Sequence, residues 1–324
     1  MMKTKTSVVA AALVAIGCMF AVGCSSKKKN GGTKALSDHK VDTKLLSLFP
    51  NGTELVVGVN KSVRKGKLFN KVKGFLKKRL GSKVPVLQLC NIDIVESGDE
   101  VVGGGRMGFR DVLLVVRGFK RADLDKCADA AKAKGKTVTV KQDGRFTALV
   151  TDTTTHWVGW VDDNTFIAGP DFGKARLQKR IAGENGLDKD TRTVNLLKKV
   201  DGNADIWWAG VSPAGKPWKS PVGNFSHTFG TVGLASGIKI DASVGTNSAD
   251  TAKGLSSMAA GQLSSPPEAI KSIVKKGIKI GQDDKDVRLS VDLSNADIDK
   301  IAETVEEDKT LQTVVGMAKR ALNL

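Results

Sequence analysis

The 324-residue sequence predicts an α+β fold made of two divergent repeats, with antiparallel or mixed sheets and helices packed on one face. Three observations carry that expectation: strand-like runs separated by hairpin turns as well as by helices, alternation of polar and apolar residues along several runs, and three segments of the first half that recur in order in the second. A doubly wound parallel sheet is the runner-up, and it would need longer, uniformly apolar strands and fewer hairpin turns.

The chain opens with Lys3 and Lys5, an apolar run over residues 8–22 broken only by Gly17 and Cys18, and then Gly23 and Cys24. Charge, apolar core and small residue in that order make a secretory signal. The run falls short of the roughly 20 apolar residues that a spanning helix needs. Ala21-Val22-Gly23-Cys24 resembles the lipobox of bacterial lipoprotein signal peptides. That resemblance implies a diacylglyceryl group on the Cys24 thiol, removal of residues 1–23 and acylation of the new N-terminus. Ala15-Ile16-Gly17-Cys18 is a competing site with a shorter apolar core. Cys24 is favoured because Ser25-Ser26-Lys27-Lys28-Lys29-Asn30-Gly31-Gly32 follows it, the polar, flexible run that a tether requires. In this signal class a Ser after the Cys implies outer-membrane sorting. A plain cleaved signal or an uncleaved anchor is the alternative. The expected organisation is thus signal peptide 1–23, lipidated N-terminus and tether 24–41, first repeat 42–190 and second repeat 191–324.

The repeats are read from three echoes. Residues 45–58 correspond to 196–209, each a helical turn, a polar turn and a hydrophobic strand. Residues 111–118 form a strand followed by a helix over 120–134, and residues 238–245 form a strand followed by a helix opened by Ser248-Ala249-Asp250. Residues 138–151 and 278–291 each read as a hairpin whose turn contains Asp. Elsewhere Asp162-Asp163-Asn164 marks a hairpin turn, residues 172–181 start a basic helix, and residues 225–240 form a long strand or hairpin region broken at Gly230, Gly233 and Gly237. Residues 295–307 and 311–322 complete the chain as amphipathic helices.

Charge narrows the partners. The chain carries a net +17, and removing Lys3 and Lys5 with the signal leaves +15, a surface that favours anionic partners. Tyr is absent and aromatics are 5%, too few to interleave stacking rings with the charge, and export points the same way, so no nucleic acid is expected. The most biased stretch holds Lys61, Arg64, Lys65, Lys67, Lys71, Lys73, Lys77, Lys78, Arg79 and Lys83 with no acid among them, while Leu68, Val72, Phe75, Leu76 and Leu80 recur at helical spacing. Its cationic face either meets an anionic membrane surface or envelope polymer, or solvates a helix whose apolar stripe packs on the sheet.

Few residues invite catalytic or metal chemistry. Cys90 and Cys127 remain once Cys18 and Cys24 are assigned to the signal region, and in an oxidising compartment they either form a disulfide or stay as two buried thiols. His39, His156 and His227 stand apart with no ligand set around them, so neither metal nor cofactor is expected. The Gly103-Gly104-Gly105-Arg106-Met107-Gly108 run lacks the strand-to-helix setting of a phosphate loop and reads as a mobile or bulged loop between strands. Asp162 and Asp163 fit an exposed turn as well as a cation. Trp157, Trp160, Trp207, Trp208 and Trp218 divide between core and surface, and the adjacent pair must point to opposite faces of a strand. No nucleophile elbow accompanies the serines. The sequence thus points to a non-enzymatic envelope lipoprotein, facing the periplasm from the outer membrane, with a basic binding or assembly ectodomain for an envelope protein or anionic polymer. A carrier of a lipid or other hydrophobic ligand is the alternative.

Overall fold

The computed structural model describes residues 41–66, 69, 73, 84–107, 110–220, 223–264, 266 and 268–307. Cys18, Cys24, His39, nearly all of the tether, the helix expected over 311–322 and most of the basic run after Gly66 lie outside those residues. The described chain forms two compact units, the larger within residues 37–64 and 73–211, the smaller from residues 65–72 and 212–324.

The strands of the larger unit are β1 (Leu55–Asn60), β2 (Glu100–Arg106), β3 (Arg110–Arg117), β4 (Thr139–Asp143), β5 (Phe146–Val150), β6 (Thr155–Asp162), β7 (Thr165–Ala168) and β8 (Ile206–Val211). They lie in the order β8-β1-β2-β3-β7-β6-β5-β4, and each neighbouring pair is antiparallel. Turn chemistry sets this register. Gly144, at φ +59°, closes the two-residue turn between Asp143 and Phe146. In the Asp162 turn the carboxylate accepts from the Asn164 backbone N–H at 2.8 Å, so that acid caps its own hairpin. The first and last strands of the first echo, β1 and β8, pair with each other, Gly58 opposite Trp207. Both belong to the larger unit, although the sequence assigns them to different repeats.

The smaller unit contains β9 (Trp218–Ser220), β10 (Gly223–Gly233), β11 (Gly237–Thr246), β12 (Ile278–Asp283) and β13 (Asp286–Ser294). Their order is β9-β10-β11-β13-β12, again antiparallel. The region broken by glycines is therefore a hairpin of β10 and β11. Val287, Leu289, Val291 and Leu293 alternate along β13 and are buried. Ile238 and Ile240 of β11 pair with Leu293 and Val291 and continue that face. Three helices pack on these strands: Ala249–Gln262, Glu268–Gly277 and Asn295–Glu307. Ser248 caps the first by accepting from the Thr251 N–H. The third opens reciprocally, with the Ser294 hydroxyl accepting from Asp297 N–H at 3.2 Å and the Asp297 carboxylate accepting from Ser294 N–H at 3.0 Å.

Two local expectations change. The helix expected over 120–134 is two short ones, Arg121–Asp125 and Cys127–Lys132, because Lys126 between them has ψ −3°, near the bridge region, and breaks the ladder. The glycine run is a strand rather than a loop: Gly103, Gly104 and Gly105 lie in β2, with a register shift between Gly104 and Arg106. A Cβ on Gly104 would stand 2.6 Å from the Phe49 ring, so the glycine lets that fully buried ring seat on the sheet. The same device recurs at Gly58, beneath Trp207, and at Gly159, beneath Leu177 and Ile181 of the Lys174–Ile181 helix. The other side of the sheet carries the edge-to-face trio Trp160, Phe166 and Phe119, with Trp160 Nε1–H donating to the Thr147 hydroxyl at 3.0 Å.

An ion-pair relay fixes the start of the larger unit. The Arg117 guanidinium donates to Asp42 at 2.6 Å and to Glu100 at 3.1 Å. Burial raises the Glu100 pKa above its ordinary value, and Arg117 offsets only part of that. Burial pushes Asp42 the same way, but the hydrogen bond and charge of Arg117, with the Lys44 N–H, win and hold it below its usual range. The signs oppose: Asp42 contributes stability above the unfolded carboxylate pKa that is lost as pH falls, whereas Glu100 costs stability as pH rises through its raised pKa. Arg117→Met removes the offset to both, leaving Glu100 buried and unpaired. This variant should lose most stability near neutral pH and recover on acidification, as measured by urea unfolding across pH. A deficit independent of pH would place the role of Arg117 in packing instead.

Candidate functional site

β1 reads Leu-Val-Val-Gly-Val-Asn, apolar on both faces, and a strand of that kind must be covered on both sides. On one face Val56 and Gly58 are buried beneath the Trp207 side of the sheet. On the opposite face Leu55 and Val57 are only half-buried. Val57 stands directly across from Trp208 of β8 and, on its other flank, from Gly103 of β2. Directly opposed side chains sit about 4.5–5.5 Å apart at Cβ, so Trp208 and Val57 are neighbours on this face. Ile206, two residues from Trp208, extends the half-buried apolar row. Gly103 lies beside it, and the space that a Cβ would take there is met at 3.1 Å by the side chain of Leu114 of β3, itself fully buried. The result is a half-buried apolar strip beside an indole. Its residues offer apolar surface and carry no titratable side chain for chemistry.

The residues singled out by sequence are distributed otherwise. Of the basic run, Lys61 pairs with Asp99 at 3.0 Å, Lys73 pairs with Asp93 at 3.7 Å and with Glu96, and Arg64 donates to the Val95 carbonyl at 2.9 Å and to the Gly98 carbonyl. Those three cations fasten the residue 93–99 turn and spend part of their charge locally. Lys65 is exposed. Lys67, Lys71, Lys77, Lys78, Arg79 and Lys83 lie outside the described residues. The sulfurs of Cys90 and Cys127 are bonded across 37 residues, joining the end of the Pro85–Leu89 helix to the start of Cys127–Lys132.

His156 accepts from or donates to the Thr154 hydroxyl at 3.1 Å, and burial lowers its pKa. His227 of β10 reaches over Gly245 of β11, where a Cβ would stand 2.0 Å from its Cε1, toward Asp286 of β13 at 3.1 Å. Ser226 contacts the other ring nitrogen at 3.0 Å, and Ser243 donates to Asp286 at 3.2 Å. At that distance the His227 Nε2 makes no hydrogen bond of good geometry. This polar bridge across three strands was invisible in sequence because its members are spread over residues 226–286. Among the described residues no group of three or more His, Cys, Asp or Glu side chains is placed to hold a metal ion, and no helix is long and apolar enough to cross a membrane. Trp157 and Phe146 lie beneath the Lys174 ammonium, 5.7 and 5.6 Å from the ring centroids, a contact of helix with sheet.

No protein-family model matches the sequence, and none of the curated proteins does. Solved structures of TP0453 in crystal forms III, I and IV align over 81, 82 and 80% of this chain and 98, 97 and 95% of theirs. Their identities are 8, 10 and 8%, with TM-scores of 0.43, 0.43 and 0.41. Likeness at that level determines neither fold nor function.

Proposed function

We propose that this chain is a non-enzymatic lipoprotein of the bacterial cell envelope, tethered to the outer membrane through acylated Cys24 and facing the periplasm, whose ectodomain carries a lipid or other hydrophobic ligand. The half-buried apolar strip of Leu55, Val57, Ile206 and Trp208, flanked by Gly103, is the observation that carries the ligand reading. Burial of apolar surface, at roughly 25 cal/mol per Å², is the driving force such a strip offers an acyl chain. The lipobox resemblance supports the anchor and the envelope location. The three sequence echoes support an origin by duplication, with repeats over 42–190 and 191–324.

A binding or assembly ectodomain for an envelope protein or anionic polymer is the second reading, and the net charge of +15 left after removal of Lys3 and Lys5 from +17 favours it. Against it, Lys61, Arg64 and Lys73 are engaged with acids and carbonyls of their own unit. Titration with a fluorescent long-chain fatty acid separates the two. The wild-type chain should bind it, and Val57→Glu, which puts a charge into the strip, should weaken binding by tenfold or more, in line with about 1.4 kcal/mol per decade. Absence of binding by a folded wild-type chain, or equal binding by Val57→Glu, rejects the carrier reading.

A further inference from the structure

β2 ends in Arg106, Met107 follows, and β3 begins with Arg110 and Asp111. Met107 is 49% exposed, the one large hydrophobic side chain so displayed among the described residues. Its position is fixed rather than incidental. The Met107 N–H donates to a Glu54 carboxylate oxygen at 3.4 Å. Asp111 is held at φ +51°, a left-handed conformation uncommon for a residue with a side chain. There its carboxylate is shared by Arg106 at 3.5 Å and Arg176 at 3.4 Å, and both guanidiniums remain at least half exposed. Arg176 is propped on the Phe172 ring, 4.3 Å from its centroid, and donates to the Asp171 carbonyl. Arg110 is exposed beside them. Two guanidiniums therefore share Asp111, Glu54 holds the Met107 N–H, and Arg110 stands exposed opposite Arg106 in the hairpin.

We propose that this hairpin tip is a contact with the anionic phospholipid surface, Met107 entering the interface while Arg106, Arg110 and Arg176 take lipid phosphates. The planar guanidinium matches phosphate oxygens in pairs, and an apolar residue ringed by long cationic side chains is the composition that settles at a membrane interface. The tip adjoins the Leu55 end of the apolar strip, since Leu55 pairs with Gly105 next to Arg106, and would set how the ectodomain is oriented on the bilayer. The inference rests on the lipid-anchored reading. A tethered domain meets its membrane at high effective concentration, so a weak contact suffices.

The test uses the lipidated full chain with Met107→Cys carrying a nitrobenzoxadiazole fluorophore, mixed with vesicles of brominated phosphatidylcholine, alone or with phosphatidylglycerol. Flotation reports the anchor and quenching reports the tip. We expect flotation on both vesicles and quenching only on the anionic ones. The quenched population should weaken about fivefold with Arg106→Gln and again with Arg110→Gln, and should fall with added salt. Flotation with the fluorophore unquenched on both vesicles, the result expected if an acidic protein were the partner, overturns the proposal and leaves the anchor standing. Equal quenching on neutral and anionic vesicles also overturns it, because the phosphate contacts then play no part. Failure to float on neutral vesicles sinks the anchor reading, while quenching on anionic ones would still uphold the tip.

Discussion

Trp207→Ala is expected to lower the unfolding free energy by about 3–5 kcal/mol, among the largest single-residue effects in the larger unit. The ring is fully buried and lies on Gly58, where a Cβ would stand 2.0 Å from Cε2, so no neighbour on that strand can collapse into the space it leaves. The converse change, Gly58→Ala, overpacks the same contact and should cost about 1–3 kcal/mol. The buried Trp207 Nε1–H meets no hydrogen-bond acceptor among the described residues. An unsatisfied donor carries a penalty of its own, about 1–3 kcal/mol, so Trp207→Phe should lose far less than Trp207→Ala. Urea unfolding of the three variants checks the ordering. Equal losses for Phe and Ala would mean that the indole nitrogen has an acceptor after all.

Removing the Cys90–Cys127 bond is the second large effect. The bond closes a loop spanning 37 residues, for which the chain-entropy treatment gives about 4 kcal/mol of stabilisation through the unfolded state. It also joins two helices of five and six residues, too short to be stable alone. Cys90→Ala with Cys127→Ala should therefore shift the urea midpoint strongly, and reduction of the wild-type chain should do nearly the same. Peptide mapping without reductant should recover residues 90 and 127 in one linked species. Free thiols at both positions, with no loss in the double variant, would return the pair to the other arrangement the sequence allows, two buried thiols.

Much of this architecture was legible in the residues, and the reasons are particular. The Ser248 cap and the Ser294–Asp297 box are local signals, so the helices they open begin where the sequence places them. Likewise the hairpins closed by Gly144 and by Asp284, at φ +59° and +48°, follow from turn residues that tolerate a left-handed backbone. The glycine run misled because glycine has two uses. Sequence shows its freedom, whereas the use at Gly104 is the close approach of Phe49, a residue 55 positions earlier whose proximity no local pattern reveals. The pairing of β1 with β8 is non-local in the same way, which is why strands assigned to separate repeats lie side by side in one unit.

The candidate site was half legible. Trp208 was set apart from Trp207 by strand alternation alone, and Trp207 is the buried one while Trp208 is half-buried. Val57 and Gly103 were not found, since their meaning depends on which strand lies on each flank. The available signal was the apolar character of β1 on both faces. The basic run drew attention by composition, and composition does not record that Lys61, Arg64 and Lys73 answer acids and carbonyls near residues 93–99.

The carrier claim is tested most directly by mass spectrometry of the solvent extract of the full lipoprotein purified from its own envelope, alongside a Val57→Glu preparation. A lipid or other hydrophobic molecule in stoichiometric amount with the wild-type chain, and its loss from Val57→Glu, is the predicted result. A wild-type chain that emerges with no hydrophobic molecule but with an envelope protein or anionic polymer in fixed proportion would contradict the carrier reading and establish the binding module in its place.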